Sequence, residues 1–433
     1  MAMKPLRRST ALGLLVLSVH LAACLDVDEA VDQFCNSKPG ACLDDASDAG
    51  PDGNGSLDGG NDGGGPHGGG DGGSDAGTDG GPPDGGRESP GWKSVAPMQT
   101  RRTGHTATKL ENGRVLVVGG SSAGNTPTNT TELYTVSSNS WSPGPDLGTA
   151  RMDHTATLLP NGKVLVVGGR GPGGGALNSA EIYDADANEW TPASPIPLGA
   201  RASHAAVLLP SREVLVAGGG NSHLDGLNTS ALYHPDTDSW TDAGSLNVKR
   251  NVLTLTLLEV GVVVAIGGFN AAGAETTAEV YDSNQPEAGW RPLLAQMEYG
   301  RHGHASTLLP SGRILVTGSL EGSPGRVLKA AELFHWSSTS WTHETEMMEA
   351  RSFHTATALP SGEVLIAGGY SSPYAMPRAS AEIFRRDGSW EFIAPMSSAR
   401  VNHTATWLES GSVLIIGGTD GSAVLNTAER YVP

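Results

Sequence analysis

From Trp92 to Pro433, apolar and polar positions fall into short runs of a few kinds. Residues His154 to Gly169, for example, read HTATLLPNGKVLVVGG. The Thr-rich half has the composition of a half-buried strand, Pro-Asn-Gly makes a turn, and the run after it is wholly apolar, as a strand buried on both faces must be. A diglycine closes that run, where backbones can approach closely or take φ > 0. The alternating AEIYD segment from Ala180 to Asp184 predicts a third strand, and the segment around Trp190 a fourth and outermost one, whose indole fills the wedge between neighbouring sheets.

This unit recurs seven times with a period of 49 to 51 residues. The diglycine stands at Gly119/Gly120, Gly168/Gly169, Gly218/Gly219, Gly267/Gly268, Gly368/Gly369 and Gly417/Gly418, with Gly318/Ser319 as the altered copy. Arg followed three residues later by His opens the unit at Arg102/His105, Arg151/His154, Arg201/His204, Arg301/His304, Arg351/His354 and Arg400/His403. In the fourth copy Arg250 is followed by Leu253. Glu stands two residues before an aromatic at Glu132, Glu181, Glu279, Glu332, Glu382 and Glu429, and Ala231 takes that place before Tyr233. Trp follows at Trp141, Trp190, Trp240, Trp290, Trp341 and Trp390. The last copy has no such Trp, whereas an extra one, Trp92, precedes the first His.

The N-terminal segment therefore supplies the piece that the C-terminal unit lacks, which makes sense only for a closed ring; a solenoid would need capping repeats instead. The expectation is an all-β chain whose residues 92–433 form a seven-bladed β-propeller, closed by an N-terminal outer strand. Its Arg-x-x-His, diglycine, Glu-x-Tyr and Trp pattern resembles the kelch repeat, and the HTATLLPNGKVLVVGG style resembles the propeller of galactose oxidase. Such a resemblance specifies fold and leaves function open.

Residues present in nearly every copy do what every blade needs. The histidines are read as buried hydrogen-bonding groups beside the diglycine strand, the Arg and Glu as ion pairs within or between blades, and the Tyr and Trp as core. Resemblance to galactose oxidase would imply copper and a tyrosine cross-linked to a cysteine. No Cys follows Cys42, so that cofactor cannot be built, and neither metal nor cofactor is expected. That family also draws a copper ligand from a domain after the propeller, and this sequence stops at Pro433. Tyr233/His234 imitates the family's copper-ligating pair, but Tyr233 is the repeat aromatic of blade three. No nucleophile elbow, phosphate loop or zinc motif occurs.

Charge changes the picture only ahead of the repeats. The formal net charge is −18, yet residues 44–91 are an acidic Gly/Asp-rich stretch with almost no large apolar side chains, read as a disordered linker. No basic patch exists, so nucleic acid is not an expected partner. Residues 1–23 carry Lys4, Arg7 and Arg8 before an apolar run, the layout of a signal peptide. The run ends in Leu21, Ala22, Ala23 and Cys24, which resembles the lipobox of bacterial lipoproteins; the resemblance implies a lipid on Cys24, hence export and attachment to the cell envelope at the outer membrane or cell surface. Within segment 24–43, Cys35 and Cys42 are a candidate small disulfide.

Turns between first and second strands are nearly constant (LPNG, LPSR, LPSG, LPSG, LESG), whereas loops after the diglycine differ in nearly every copy. Strand alternation puts those loops and the blade-to-blade connections on one face, the candidate binding face. Its candidate contacts are Arg170, His223, Asp225, Phe269, Glu321, Arg326, Tyr370, Tyr374, Arg378 and Asp420. The preferred functional reading is a non-catalytic binding or adhesion module for a protein or glycan, held to a membrane by its lipid. The alternative on the same fold is a carbohydrate-active isomerase or lyase, which requires acidic and basic groups converging on the central channel. A structural role in an envelope assembly requires a large complementary patch.

Overall fold

The computed structural model describes residues 88–123, 126–221, 226–321, 325–372 and 375–433. Cys24, Cys35, Cys42 and the linker lie outside them, as do His223, Asp225 and Tyr374.

Seven four-stranded antiparallel sheets follow one another along the chain. Blade one consists of Thr106–Lys109, Val115–Val118, Thr131–Thr135 and Ser140–Pro143, from the axis outward. Blades two to six repeat this order, their first strands being Thr155–Leu158, Ala205–Leu208, Thr254–Leu257, Ala305–Leu308 and Thr355–Ala358. In blade seven the three strands Thr404–Leu408, Ser412–Ile416 and Ala428–Val432 receive Gly91–Val95 as their outer strand, with Trp92 opposite Tyr431. The ring is thus closed by the two ends of the repeat array, as the displaced Trp predicts.

Each second strand is fully buried, because it has a strand on either side and a neighbouring blade on either face. First strands are only half-buried, since one edge faces the axis. Seven apolar clusters lie between blades; Val115, Val117 and Tyr134 of blade one, for instance, pack on Leu414, Ile416 and Ala428 of blade seven. In every blade the repeat aromatic and the Trp are directly cross-strand, with ring centroids 4.9 to 5.4 Å apart. Except at Trp341, the indole N–H then reaches into the preceding blade, as from Trp141 to the Ala96 carbonyl and from Trp240 to the Ser194 carbonyl.

The diglycine is explained by close approach. A Cβ on Gly119 would stand 2.4 Å from the Arg151 carbonyl oxygen of the next blade, and one on Gly120 would stand 2.7 Å from the Thr103 carbonyl oxygen. Gly120 N–H donates to the Arg151 carbonyl, and the same bond recurs at all seven junctions, ending with Gly418 to Arg102. Ser319 makes it too.

Candidate functional site

The seven repeat arginines have no exposed surface. Arg151 shows what holds them: Nη1 donates to the carbonyls of Gly168 and Ser179, and Nη2 to Ser179 Oγ and to Glu181 Oε1 at 2.7 Å. Glu181 in turn accepts the backbone N–H groups of Gly148 and Thr149, clamping the segment that arrives from blade one. The ion pair is therefore internal to a blade, and its carboxylate secures the junction. Blade three lacks the pair, since Ala231 stands in the Glu position.

The repeat histidines are inter-blade hydrogen-bonding groups. Nε2 of His105, His154, His204, His304 and His403 meets the Oγ1 of Thr404, Thr106, Thr155, Thr254 and Thr355 in the preceding blade. His354 faces Ala305 and bonds Thr317 Oγ1 instead. Where Leu253 replaces His, the preceding blade offers Ala205, so donor and acceptor are lost together. Burial, then the adjacent arginine, pushes His105, His204, His354 and His403 down to about 3.

The loops after the diglycine do lie on the face where first strands begin. The described candidates are spread round this rim. Arg170 is buried rather than presented: its backbone bridges Met152 and Ala176, and its Nε lies 3.5 Å from Asp153 Oδ2. Phe269 stacks 5.0 Å from His302. Glu321 and Arg326 face each other at 3.5 Å, and the guanidinium lies over Tyr299. Tyr370 bridges Ser352 and Pro377 through its backbone, and Arg378 lies 3.5 Å from Glu349. Asp420 turns its carboxylate onto Ser422 and the Ala423 N–H of its own loop. Of these, Glu321 and Arg326 touch one another.

Nearer the axis is a ring the candidate set missed. The residue just before each His position, namely Gly104, Asp153, Ser203, Val252, Gly303, Phe353 and Asn402, has φ between 52° and 63°. Backbone bonds run round it, from Asp153 N–H to Gly104, Ser203 to Asp153, Val252 to Ser203, and Phe353 to Gly303. Left-handed Val and Phe are strained, and such strain persists only where surroundings over-determine it. Six of the seven ring residues, together with repeat histidines, line a 250 Å³ cavity at the channel mouth. One side is polar (Asp153, Ser203, Asn402) and the other apolar (Val252, Phe353). The Phe353 ring leans onto Gly303 and edge-on to His302, which burial holds neutral with its pKa at about 4. Asp153 is the one carboxylate in this lining, and it is engaged by Arg170. The signal was legible: Gly, Asp, Ser and Asn in the slot before His are residues that tolerate left-handed backbone.

Among the described residues, no group of three or more His, Cys, Asp or Glu is arranged to hold a metal ion, and no helix is long and apolar enough to cross a membrane. Tyr233 is buried with its hydroxyl on Asp238, while His234 bonds Glu213 and Thr241. These residues do not fit a copper and Tyr–Cys centre.

Residues 89–268 match the family model of the KLHDC2/KLHL20/DRC7 Kelch-repeats domain. No curated protein sequence matches significantly. Among solved structures, a novel fungal alcohol oxidase with catalytic diversity among the AA5 family, in complex with copper, superposes with a TM-score of 0.65 at 18% identity, covering 79% of this chain and 76% of that one. At that identity the likeness is one of fold. The chain is a seven-bladed propeller similar to the kelch-repeat domains over residues 89–268 and to the galactose oxidase type of fold over most of its length.

Proposed function

We propose that this protein is an exported bacterial lipoprotein, anchored through Cys24, whose propeller binds a protein or glycan through its loop-bearing face without catalysing a reaction. One observation carries the reading most: the groups that recur from blade to blade are, Arg201 apart, committed to one another, while the variable residues gather on a single face around a strained, open mouth. The mouth offers shape, a polar side and an aromatic side, which suits recognition; its lone carboxylate and its histidines already have partners.

A glycan array and a pull-down with the fragment from Trp92 onward test the binding, with a Tyr370→Ala/Tyr374→Ala/Arg378→Ala variant as the comparison. A specific ligand lost in the variant supports the loop-face assignment; unchanged binding overturns it. Metabolic labelling with a radioactive fatty acid tests the anchor: wild type takes up label, and Cys24→Ala takes up none. Label retained by Cys24→Ala removes the lipoprotein reading.

A further inference from the structure

Blade three breaks the clamp that the other blades share, and it breaks it in a coordinated way. Ala231 stands where Glu132, Glu181, Glu279, Glu332, Glu382 and Glu429 stand. The incoming segment changes with it. From Leu147 to Arg151 it runs Leu-Gly-Thr-Ala-Arg, whereas from Ile196 to Arg201 it runs Ile-Pro-Leu-Gly-Ala-Arg, one residue longer. Leu147 N–H bonds Asn129 and Ile196 N–H bonds Asn178 at equivalent places, so the segments align at their starts. Gly148, whose N–H is held by Glu181, is then matched by Pro197, which has no N–H to offer.

The arginine did not change. Arg201 has no exposed surface, its Nη1 holds the Gly218 and Thr229 carbonyls, and its Nη2 holds Thr229 Oγ1. In place of a carboxylate, Nη2 reaches only the Leu198 carbonyl, at 3.4 Å. Among the described residues no acid pairs with it. A buried cation without a counterion is costly, and a guanidinium fork is shaped to take two carboxylate oxygens. The other blades provide the comparison within one molecule: wherever Glu is present, its Oε1 sits on the arginine, while Oε2 takes a backbone N–H of the incoming segment.

The segment that covers Arg201 is loosely held. Leu198 has φ 63° with its side chain 42% exposed, so a left-handed, solvent-facing Leu forms the cover. Gly199 beside it has φ +105° and open space around it. Both bonds to the Leu198 carbonyl, from Arg201 and from Thr229 Oγ1, are 3.4 Å long. The difference between Glu and Ala is one CH2 and one carboxylate, which is acetate in size.

We propose that blade three carries a socket for a small carboxylate, which enters beneath the Leu198–Gly199 cover, displaces the Leu198 carbonyl and binds Arg201 where the other blades place their own Glu. The socket is distinct from the channel mouth and does not depend on what the loop face binds.

Thermal unfolding of the full chain in sodium acetate, against sodium chloride at equal ionic strength and pH 7, tests it. Acetate should raise Tm by about 2 °C at saturation, with formate acting similarly and bulky pivalate failing. Ala231→Glu should raise Tm in chloride and abolish the acetate response, and Ala231→Gln, which fills the space without charge, should abolish the response alone. Chloride or pivalate matching acetate overturns the socket, as does an acetate response surviving in Ala231→Glu. Should that variant fail to fold, the acetate and pivalate comparison in the wild type still decides.

Discussion

Trp92 lies 5.2 Å from Tyr431, ring to ring, although the two stand at opposite ends of the repeat array. The Trp92 indole N–H also donates to the Ala394 carbonyl of blade six at 2.6 Å, so one side chain joins the first strand, the last strand and the blade before it. Trp92→Ala should lower stability by about 3 kcal/mol through lost burial and a lost hydrogen bond. Removing residues 1–95 should do more, since it uncovers the edge of Ala428–Val432 and invites aggregation. Urea unfolding with light scattering checks both; a truncated chain with an unchanged midpoint would refute closure by this strand.

Arg151 and Glu181 form a buried pair at 2.7 Å, with side chains 0% and 7% exposed. Breaking it from one side leaves an uncompensated charge. Arg151→Met should therefore cost about 4 kcal/mol, and Arg151→Met/Glu181→Leu clearly less than the sum of its single changes. A double-mutant cycle by urea denaturation measures this, and additive losses would mean that the two side chains act independently.

How much of this was legible depends on the range of the interaction. Strand pairing, the diglycine, the Tyr–Trp pairs and the closing strand follow from repetition, because a pattern copied seven times averages away local ambiguity. The Thr partner of every repeat His but His354 was also present in the sequence, in the coincidence of Leu253 with Ala205, but only the register of adjacent blades shows that those positions meet. The mouth ring was missed for a related reason. Asp153, Val252 and Phe353 occupy a slot that looks variable within each copy, and their shared left-handed backbone arises where seven blades converge on the axis. Arg170 shows the converse error: a charged residue in a variable loop is expected at the surface, yet Asp153 draws it inward.

Gly318 tests the close approach that shapes every junction. A Cβ there would lie 2.2 Å from the Arg351 carbonyl oxygen, and its φ is 61°. Gly318→Ala should cost about 3 kcal/mol or more, combining strain with a clash against backbone that cannot give. Gly113→Ala is the control, since its φ is 78° but nothing lies within 4 Å. It should cost about 1 kcal/mol, the conformational part alone. Equal losses in thermal unfolding would show that backbone conformation, and not inter-blade contact, selects the diglycine.

The ring of neutral histidines should make the propeller sensitive to acid. His105, His204, His354 and His403 are held down to about 3, first by burial and then by the neighbouring arginine. In the unfolded chain a histidine takes up its proton near pH 6.5. Below that pH the unfolded state binds more protons than the folded one, so the stability present above pH 6.5 is lost as pH falls toward 3. Each such histidine contributes a slope of about 1.4 kcal/mol per pH unit within that window. Blade four shows how to remove one, because Leu253 beside Ala205 is a natural substitute for a His and Thr pair. Thr155→Ala/His204→Leu should keep the fold near neutral pH, since His204 bonds only across to Thr155 at 2.8 Å. Unfolding free energies measured in urea from pH 6.5 to 4.5 should fall less steeply in this variant than in wild type, by about 1.4 kcal/mol per pH unit. An unchanged slope would assign the acid sensitivity to other groups.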